Sequence, residues 1–259
     1  MILEVKNLNY GYGHHKVLND ISFEVEENTL LCILGPNGAG KSTMFKCILH
    51  LLKGYDGEIL LDGKNLKGYK IQQLAKKIAY VPQSHNPVFN YSVAEMILMG
   101  TTSQFSMMSK PSKRQLEIVD KCLEKIDIAY LKDRDFMNLS GGERQLVLIA
   151  RALAQQAKII VMDEPTSDLD YGNQIKVLNT VKKLSKEGYI IIQSTHNPDQ
   201  AFLYADKVLA LYDKEVLAFG SPREIINSGL INQLYKVDVE LNSLYDDKIR
   251  VCVPKCLII

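Results

Sequence analysis

The chain has 259 residues, with 31 Lys and Arg against 30 Asp and Glu and a 46% hydrophobic share. That length gives ample core for one large domain or two small ones, and the near-zero net charge argues against a protein whose main task is coating nucleic acid. No apolar run approaches the ~18 residues needed to cross a bilayer, and the opening MILEVKNLNY has neither the basic nor the apolar stretch of a signal peptide.

Ile2 to Leu8 alternates apolar and polar residues and predicts a strand. Asn9 to Lys16 carries Tyr10, Gly11, Tyr12 and Gly13 and predicts a turn-rich loop. Ile21 to Glu26 alternates again. Leu30 to Leu34 is a short apolar run suited to a buried parallel strand, and Met44 to Leu52 has helical composition. Gly57 to Asp62 predicts a strand closed by Asp62-Gly63. Ile71 to Lys77 predicts a short helix, and Ile78 to Val81 a strand stopped by Pro82-Gln83.

Composition then changes. From Ser84 to about Ala157 the β-branched runs vanish and helical spacing takes over. A helix over Ser92 to Met99 is opened by Ser92 with Glu95 three residues on. Thr101 to Lys113 predicts a loop, Arg114 to Ile126 an amphipathic helix, and Ser140 to Gln156 an apolar helix. Beyond it, Lys158 to Asp163 predicts a buried strand ending in acid. Gly172 to Lys186 and Pro198 to Ala205 predict helices, with a strand over Tyr189 to Ser194 between them. Lys207 to Tyr212 and Glu215 to Phe219 predict a hairpin, and Ser221 to Gly229 a last clear helix. Past Tyr235 the pattern weakens, and Val251 to Ile259 predicts a strand or a docked tail. Two α/β stretches flanking a helical one predict a single cassette with an inserted helical subdomain.

Cys32, Cys47, Cys122, Cys252 and Cys256 are odd in number and scattered, a poor disulfide framework. Cys32 and Cys47 read as small core residues in a reducing compartment. Cys252 and Cys256 lack the His or second Cys pair that a metal site needs. The terminal Cys256-Leu257-Ile258-Ile259 fits C-a-a-X formally but reads as an apolar strand end.

The organising stretch is Gly35-Pro36-Asn37-Gly38-Ala39-Gly40-Lys41-Ser42-Thr43, which fits the phosphate-binding loop G-x-x-x-x-G-K-[ST]. It lies between a strand end and a helix start. Gly38 and Gly40 let the backbone turn its N–H groups onto an anion, and the helix adds its first-turn donors and dipole. Lys41 reaches the outer phosphates, and the Ser42 hydroxyl suits Mg²⁺. A second element, Ile159 to Pro165, ends a buried strand in Asp163-Glu164. Asp163 suits the same Mg²⁺. Glu164, set on another face by strand alternation, can serve as base for an attacking water, so the two acids divide metal binding and proton acceptance.

Leu139-Ser140-Gly141-Gly142-Glu143-Arg144-Gln145 closely resembles the LSGGQ signature of ABC transporter nucleotide-binding subunits, with Glu143 where Gln is commonest. The resemblance covers about Met1 to Tyr235. It implies an α/β fold: a RecA-like P-loop NTPase core with an antiparallel β subdomain and an inserted α-helical subdomain. The core is placed at 1–84 and 158–235, the helical subdomain at 85–157, and a C-terminal tail at 236–259. Ser140, Gly141 and Gly142 at a helix start read as a second anion site. One chain has one phosphate loop, so the resemblance implies a head-to-tail homodimer in which each signature closes on the other's ATP.

The resemblance also assigns the remaining motifs. Tyr80 to Gln83 is similar to the Q-loop, with Gln83 on Mg²⁺ and the attacking water. Ser167 to Asp170 is similar to the D-loop, which places Asp168 at the nucleotide interface. Ser194 to Asn197 is similar to the switch, with His196 on the γ-phosphate. Tyr12 best matches the aromatic that stacks on adenine, with Tyr10 the runner-up.

The implied reaction is Mg²⁺-assisted ATP hydrolysis with Glu164, His196, Gln83 and Lys41 as catalytic residues. The implied setting is peripheral, on the cytoplasmic face of the cell membrane, bound to transmembrane permeases through the Gln83 to Pro111 region and served indirectly by a substrate-binding protein. No nucleic acid partner is expected. Pro87 to Val93, Leu98-Met99-Gly100 and Thr166 to Gln174 resemble the importer subgroup for ferric siderophores, haem and cobalamin. Iron chelates are the first expectation. Molybdate or cobalamin import, an exporter ATPase and a soluble ABC ATPase stay open.

Overall fold

The computed structural model describes residues 1–83, 89–103, 111–246 and 249–257. The predicted permease-contact region, the predicted loop after Thr101, Pro87-Val88 of the subgroup marker and the final Ile258-Ile259 lie wholly or partly outside them. In chain order the strands are β1 (Ile2–Tyr12), β2 (His15–Glu26), β3 (Thr29–Leu34), β4 (Asp56–Leu61), β5 (Lys64–Asn65), β6 (Ile78–Val81), β7 (Ile159–Met162), β8 (Ile190–Thr195), β9 (Lys207–Tyr212), β10 (Glu215–Gly220), β11 (Val239–Leu244) and β12 (Ile249–Pro254). The helices are α1 (Lys41–Ile48), α2 (Ile71–Ala75), α3 (Val93–Leu98), α4 (Lys113–Lys125), α5 (Gly141–Ala154), α6 (Tyr171–Lys186), α7 (Pro198–Tyr204), α8 (Pro222–Ile225) and α9 (Ser228–Tyr235). The chain forms two compact units, Met1–Tyr69 with Ser185–Ile259, and Lys70–Leu184.

In the first unit β2, β1, β4 and β5 make an antiparallel sheet in that order. Leu3, Val5 and Leu8 of β1 are buried, and Val5 pairs with Phe23 on one side and Ile59 on the other. A second group runs β10-β9-β3-β8, with β3 parallel to both β9 and β8. Every residue of β3 and of β8 is buried. Strands covered on both faces need continuous apolar runs, and these two have them. The apolar run of β8 gives way to buried Gln193, Ser194 and Thr195, and Gln193 Nε2 donates to Cys32 Sγ at 3.2 Å. The back of β3 packs through Cys32 and Leu34 into a cluster with Phe202 of α7, Val208 and Ala210 of β9, Leu230 and Leu234 of α9, and Val239 of β11.

Two expectations in this unit are corrected, and the strand expected from Val251 onward is found as part of a hairpin. The predicted loop at Asn9 to Lys16 is mostly strand, and only Gly13-His14 turn between β1 and β2. Register irregularities between Val5 and Leu8, Leu8 and Tyr10, and Tyr10 and Gly11 break the alternation a strand normally shows. The predicted last helix at Ser221 to Gly229 is two. Asn227 opens the second, its side chain accepting from Leu230 N at 2.9 Å, so the Asn-Ser-Gly that looked like a helix end is a helix start. The weak pattern past Tyr235 is the β11–β12 hairpin, docked on α7 where Asp199 Oδ1 accepts from Cys252 N at 2.8 Å.

In the second unit β6 and β7 pair in parallel, and Asp163 N extends the ladder to Val81 O at 3.0 Å. α3 and α4 pack on α5, whose apolar positions from Leu146 to Ala154 are buried. Ser92 caps α3 in a reciprocal box with Glu95, as the sequence predicts. Gly100 has a packing reason: a Cβ there would lie 2.0 Å from Arg151 O, so only glycine lets this segment lie against α5.

Candidate functional site

The first unit carries Tyr12, the Gly35–Thr43 loop and His196. β3 delivers the loop and β8 delivers His196. Leu34 and Thr195 are paired at the carboxyl ends of these two parallel strands, so Gly35 and His196 are the next residue on each. Ligands in open α/β sheets bind at such carboxyl ends. Gly38 (φ 82°) and Gly40 (φ 106°) both adopt the left-handed region. A Cβ on Gly35 would stand 2.3 Å from Leu211 O, which fixes glycine there as well. Asn37, Gly38 and Ser42 are exposed, Pro36, Gly40 and Thr43 half-buried, and Ala39 and Lys41 buried. Lys41 Nζ donates to Gly35 O at 2.8 Å and Pro36 O at 3.1 Å. The lysine therefore arches back over its own loop and rests on two of its carbonyl oxygens.

His196 is exposed at the end of a wholly buried strand. Its neighbours are fixed. Thr195 Oγ1 accepts from Asn197 N at 3.1 Å, and Asn197 Oδ1 caps α7 through Asp199 N at 2.9 Å and Gln200 N at 3.2 Å. Tyr12 ends β1 with 47% exposure, and Tyr10 meets it edge to face at 5.2 Å between ring centroids. Tyr10 is half-buried, and its phenol is pushed up by burial and by Tyr12 and Cys47 nearby. Tyr12 is thus the ring with a face to offer, and Tyr10 its support. The hairpin bearing them meets the loop: a Cβ on Gly40 would touch Val17 O and Leu18 Cδ2.

The second unit carries Gln83, Ser140–Gly142, Asp163, Glu164 and Asp168. Asp163 is buried with 7% exposure at the end of the β7 ladder. Burial, with Asp163 close by, raises the Tyr80 phenol. Glu164 does not owe its direction to strand alternation. β7 ends at Met162, and Glu164 takes φ 43°, a left-handed conformation costing a non-glycine residue about 1–3 kcal/mol. Its carbonyl accepts from Ser167 N and Ser167 Oγ, both at 3.2 Å, and Ser167 Oγ in turn accepts from Gln83 Nε2 at 3.2 Å. Gln83, Gly141, Glu164, Ser167 and Asp168 line one cavity of about 140 Å³. Three stretches far apart in sequence, around Gln83, Gly141 and Glu164 to Asp168, are thereby brought to one place.

Ser140 opens α5, and Glu143 closes a reciprocal box on it. Glu143 Oε2 accepts from Ser140 N at 2.9 Å and from Ser140 Oγ at 2.8 Å. These bonds hold the Glu143 carboxyl below its ordinary range. A carboxylate therefore already sits at the amino end of the signature helix. Gly141 is exposed and Gly142 is buried against Asn173. Asn173 falls in the Thr166 to Gln174 stretch that the sequence marks, but its contact with Gly142 is not legible there.

The profile of the family described as ABC transporter matches residues 18–167. The chain belongs to the ABC transporter family. An uncharacterised ABC transporter ATP-binding protein of Haemophilus influenzae is 42% identical over 241 residues, covering 93% of this chain and 92% of that one. The ferric enterobactin transport ATP-binding protein FepC of Escherichia coli K12 is 32% identical over 234 residues, covering 90% and 86%. A solved metal-chelate type ABC transporter, in an inward-facing conformation, superposes with TM-score 0.86 at 31% identity, covering 97% of this chain and 96% of the other. The expected cassette fold is therefore the observed one. This ABC protein is an ATP-binding ATPase homologous to the ATP-binding subunits of iron-chelate transporters. No described helix is long and apolar enough to cross a membrane.

Proposed function

We propose that this ATPase powers an importer of iron chelates, acting as a head-to-tail homodimer on the cytoplasmic face of a membrane permease pair that a substrate-binding protein supplies. The observation that supports this best is likeness over nearly the whole chain to FepC and to the metal-chelate type transporter. Gly100, part of the subgroup marker, has a structural reason to be glycine. Ferric siderophores and haem are the iron chelates in view, and molybdate and cobalamin are the competing cargoes.

Within the site we assign roles as follows. The amides from Gly35 to Thr43 and the α1 dipole hold the phosphates. Lys41 exchanges its loop carbonyls for phosphate oxygens. Tyr12 stacks on adenine. Glu164 accepts the proton of the attacking water, which Gln83 helps to orient, while Lys41 and His196 offset charge growing on the γ-phosphoryl oxygens. Ser140, Gly141, Gly142 and Asp168 face the other copy's nucleotide. Ser42, Asp163 and Gln83 offer a hydroxyl, a buried carboxylate and an amide oxygen. These are the hard donors that suit Mg²⁺. Among the described residues no group of three or more His, Cys, Asp or Glu could hold a metal. When bound there, Mg²⁺ would neutralise negative charge on the phosphates.

The test is reconstitution. The chain is co-isolated with its polytopic membrane partner, placed in vesicles with the matching binding protein, and assayed for ATP turnover with ferric siderophore, haem, cobalamin and molybdate in turn. Stimulation by an iron chelate, ferric siderophore or haem, and not by cobalamin or molybdate is expected. Stimulation by molybdate alone, or isolation with ribosomes instead of a membrane protein, overturns the reading.

A further inference from the structure

Gly142 is buried, and beside its place in the proposed nucleotide face it has a packing reason to be glycine. A Cβ there would lie 2.3 Å from both Cγ and Oδ1 of Asn173, and 2.7 Å from its Cβ. Real Cβ atoms do not come so near. Asn173 cannot easily turn aside. Its N–H donates to Asp170 Oδ1 at 2.9 Å, in the manner of a helix cap at the start of α6, and its Nδ2 donates to Asp170 Oδ2 at 2.6 Å. The neighbouring Gly141 meets the same segment, with Leu169 Cδ2 at 3.2 Å from a built Cβ.

That segment is itself tied to the acidic turn. Leu169 O accepts from Gln174 Nε2 at 2.9 Å, Leu169 N donates to Thr166 O at 3.4 Å, and Ser167 is bonded to Glu164 and Gln83. A continuous set of short contacts thus runs from Glu164 and Gln83 to the first turn of α5.

We propose that Asn173 is a positioning residue for the signature turn: clamped by Asp170, its side chain is the surface on which Gly142 rests, so that the turn holding Glu164 and the amino end of α5 keep a fixed spacing. The proposal rests on the reading of Ser140–Gly142 as the face that closes on a second copy's ATP. Asn173 touches no nucleotide in this account. It acts through Gly142, and a spacing error of about 1 Å at such a face can cost ~10²-fold.

The test uses the full chain with Glu164→Gln, in which dimer formation is read against ATP concentration, and the same substitutions with Glu164 intact for kcat and KM. Asn173→Ala and Asn173→Ser both withdraw the amide from Gly142, and the serine keeps a short partner for Asp170 should the alanine variant not fold. Either is expected to raise the half-maximal ATP concentration for dimerisation by about tenfold or more. Gly142→Ala should do at least as much, and adding Asn173→Gly to Gly142→Ala should recover part of that loss, because it removes the atoms that clash. A lower denaturation midpoint with unchanged ATP dependence would reduce Asn173 to a helix cap and overturn the proposal. So would a Gly142→Ala variant that the second substitution does not improve. A parental protein that neither hydrolyses ATP nor dimerises with it would instead sink the underlying functional reading.

Discussion

Gly38 and Gly40 give a matched pair in the phosphate loop. Both lie in the left-handed region, at φ 82° and φ 106°, so alanine at either place costs roughly 1–2 kcal/mol in backbone strain. Their surroundings differ. A Cβ on Gly38 has nothing within 4 Å, whereas one on Gly40 lies 2.9 Å from Val17 O and 2.9 Å from Leu18 Cδ2. Leu18 is fully buried and Val17 O is backbone, so neither yields easily. Overpacking of this kind adds about 1–3 kcal/mol. Gly40→Ala should therefore be less stable than Gly38→Ala by that second amount. Because Gly40 precedes Lys41 and Ser42, relief by loop movement should also weaken ATP binding about tenfold more than Gly38→Ala does, which is what 1.4 kcal/mol amounts to. Urea denaturation and titration with a fluorescent ATP analogue measure the two effects. Equal losses in the two variants, or a greater loss at Gly38, would refute the reasoning.

His196→Ala should leave the denaturation midpoint near the parental one, because the side chain is exposed, yet lower kcat by about 10²–10³-fold if it stabilises the γ-phosphoryl charge; a steady-state phosphate-release assay decides. Asp199→Ala removes the acceptor for Cys252 N and should cost about 1–2 kcal/mol, seen as a lower thermal midpoint and faster proteolysis of the C-terminal hairpin. The carboxyls of Glu95 and Glu143 are held below 4.5 by hydrogen bonds to Ser92 and Ser140. Their contribution to stability is complete above pH 4.5 and is lost as pH falls through the lower folded values. Thermal midpoints should fall on acidification below pH 4.5, and less steeply in Ser92→Ala.

What the sequence made legible was whatever is local or buried on all sides. β3 and β8 stand out because both faces are covered, so Leu30 to Leu34 and Ile190 to Ile192 are unbroken apolar runs. The cap at Ser92 needs only Glu95 three residues away. Legibility fails where geometry departs from a period or depends on distant chain. Three irregularities hide the end of β1, so Tyr10 and Tyr12 read as loop although they are strand residues. Glu164 turns by a left-handed backbone step that no alternation rule foresees. Ser140 and Glu143 stand at capping-box spacing, but the two glycines between them match an anion site equally well. The contact of Asn173 with Gly142 joins two helices through tertiary packing alone, and neither residue type announces it.

The central claim is that Glu164 supplies the base for hydrolysis while nucleotide binding alone brings two copies together. Its most direct test is to measure, on one preparation of Glu164→Gln, both ATP turnover and mass in solution with and without MgATP. The account predicts turnover reduced by about 10²–10⁴-fold and a stable dimer that forms only with ATP. Turnover at the parental rate would contradict the assignment of the base, and a monomer at saturating ATP, with the permease present, would contradict the shared site.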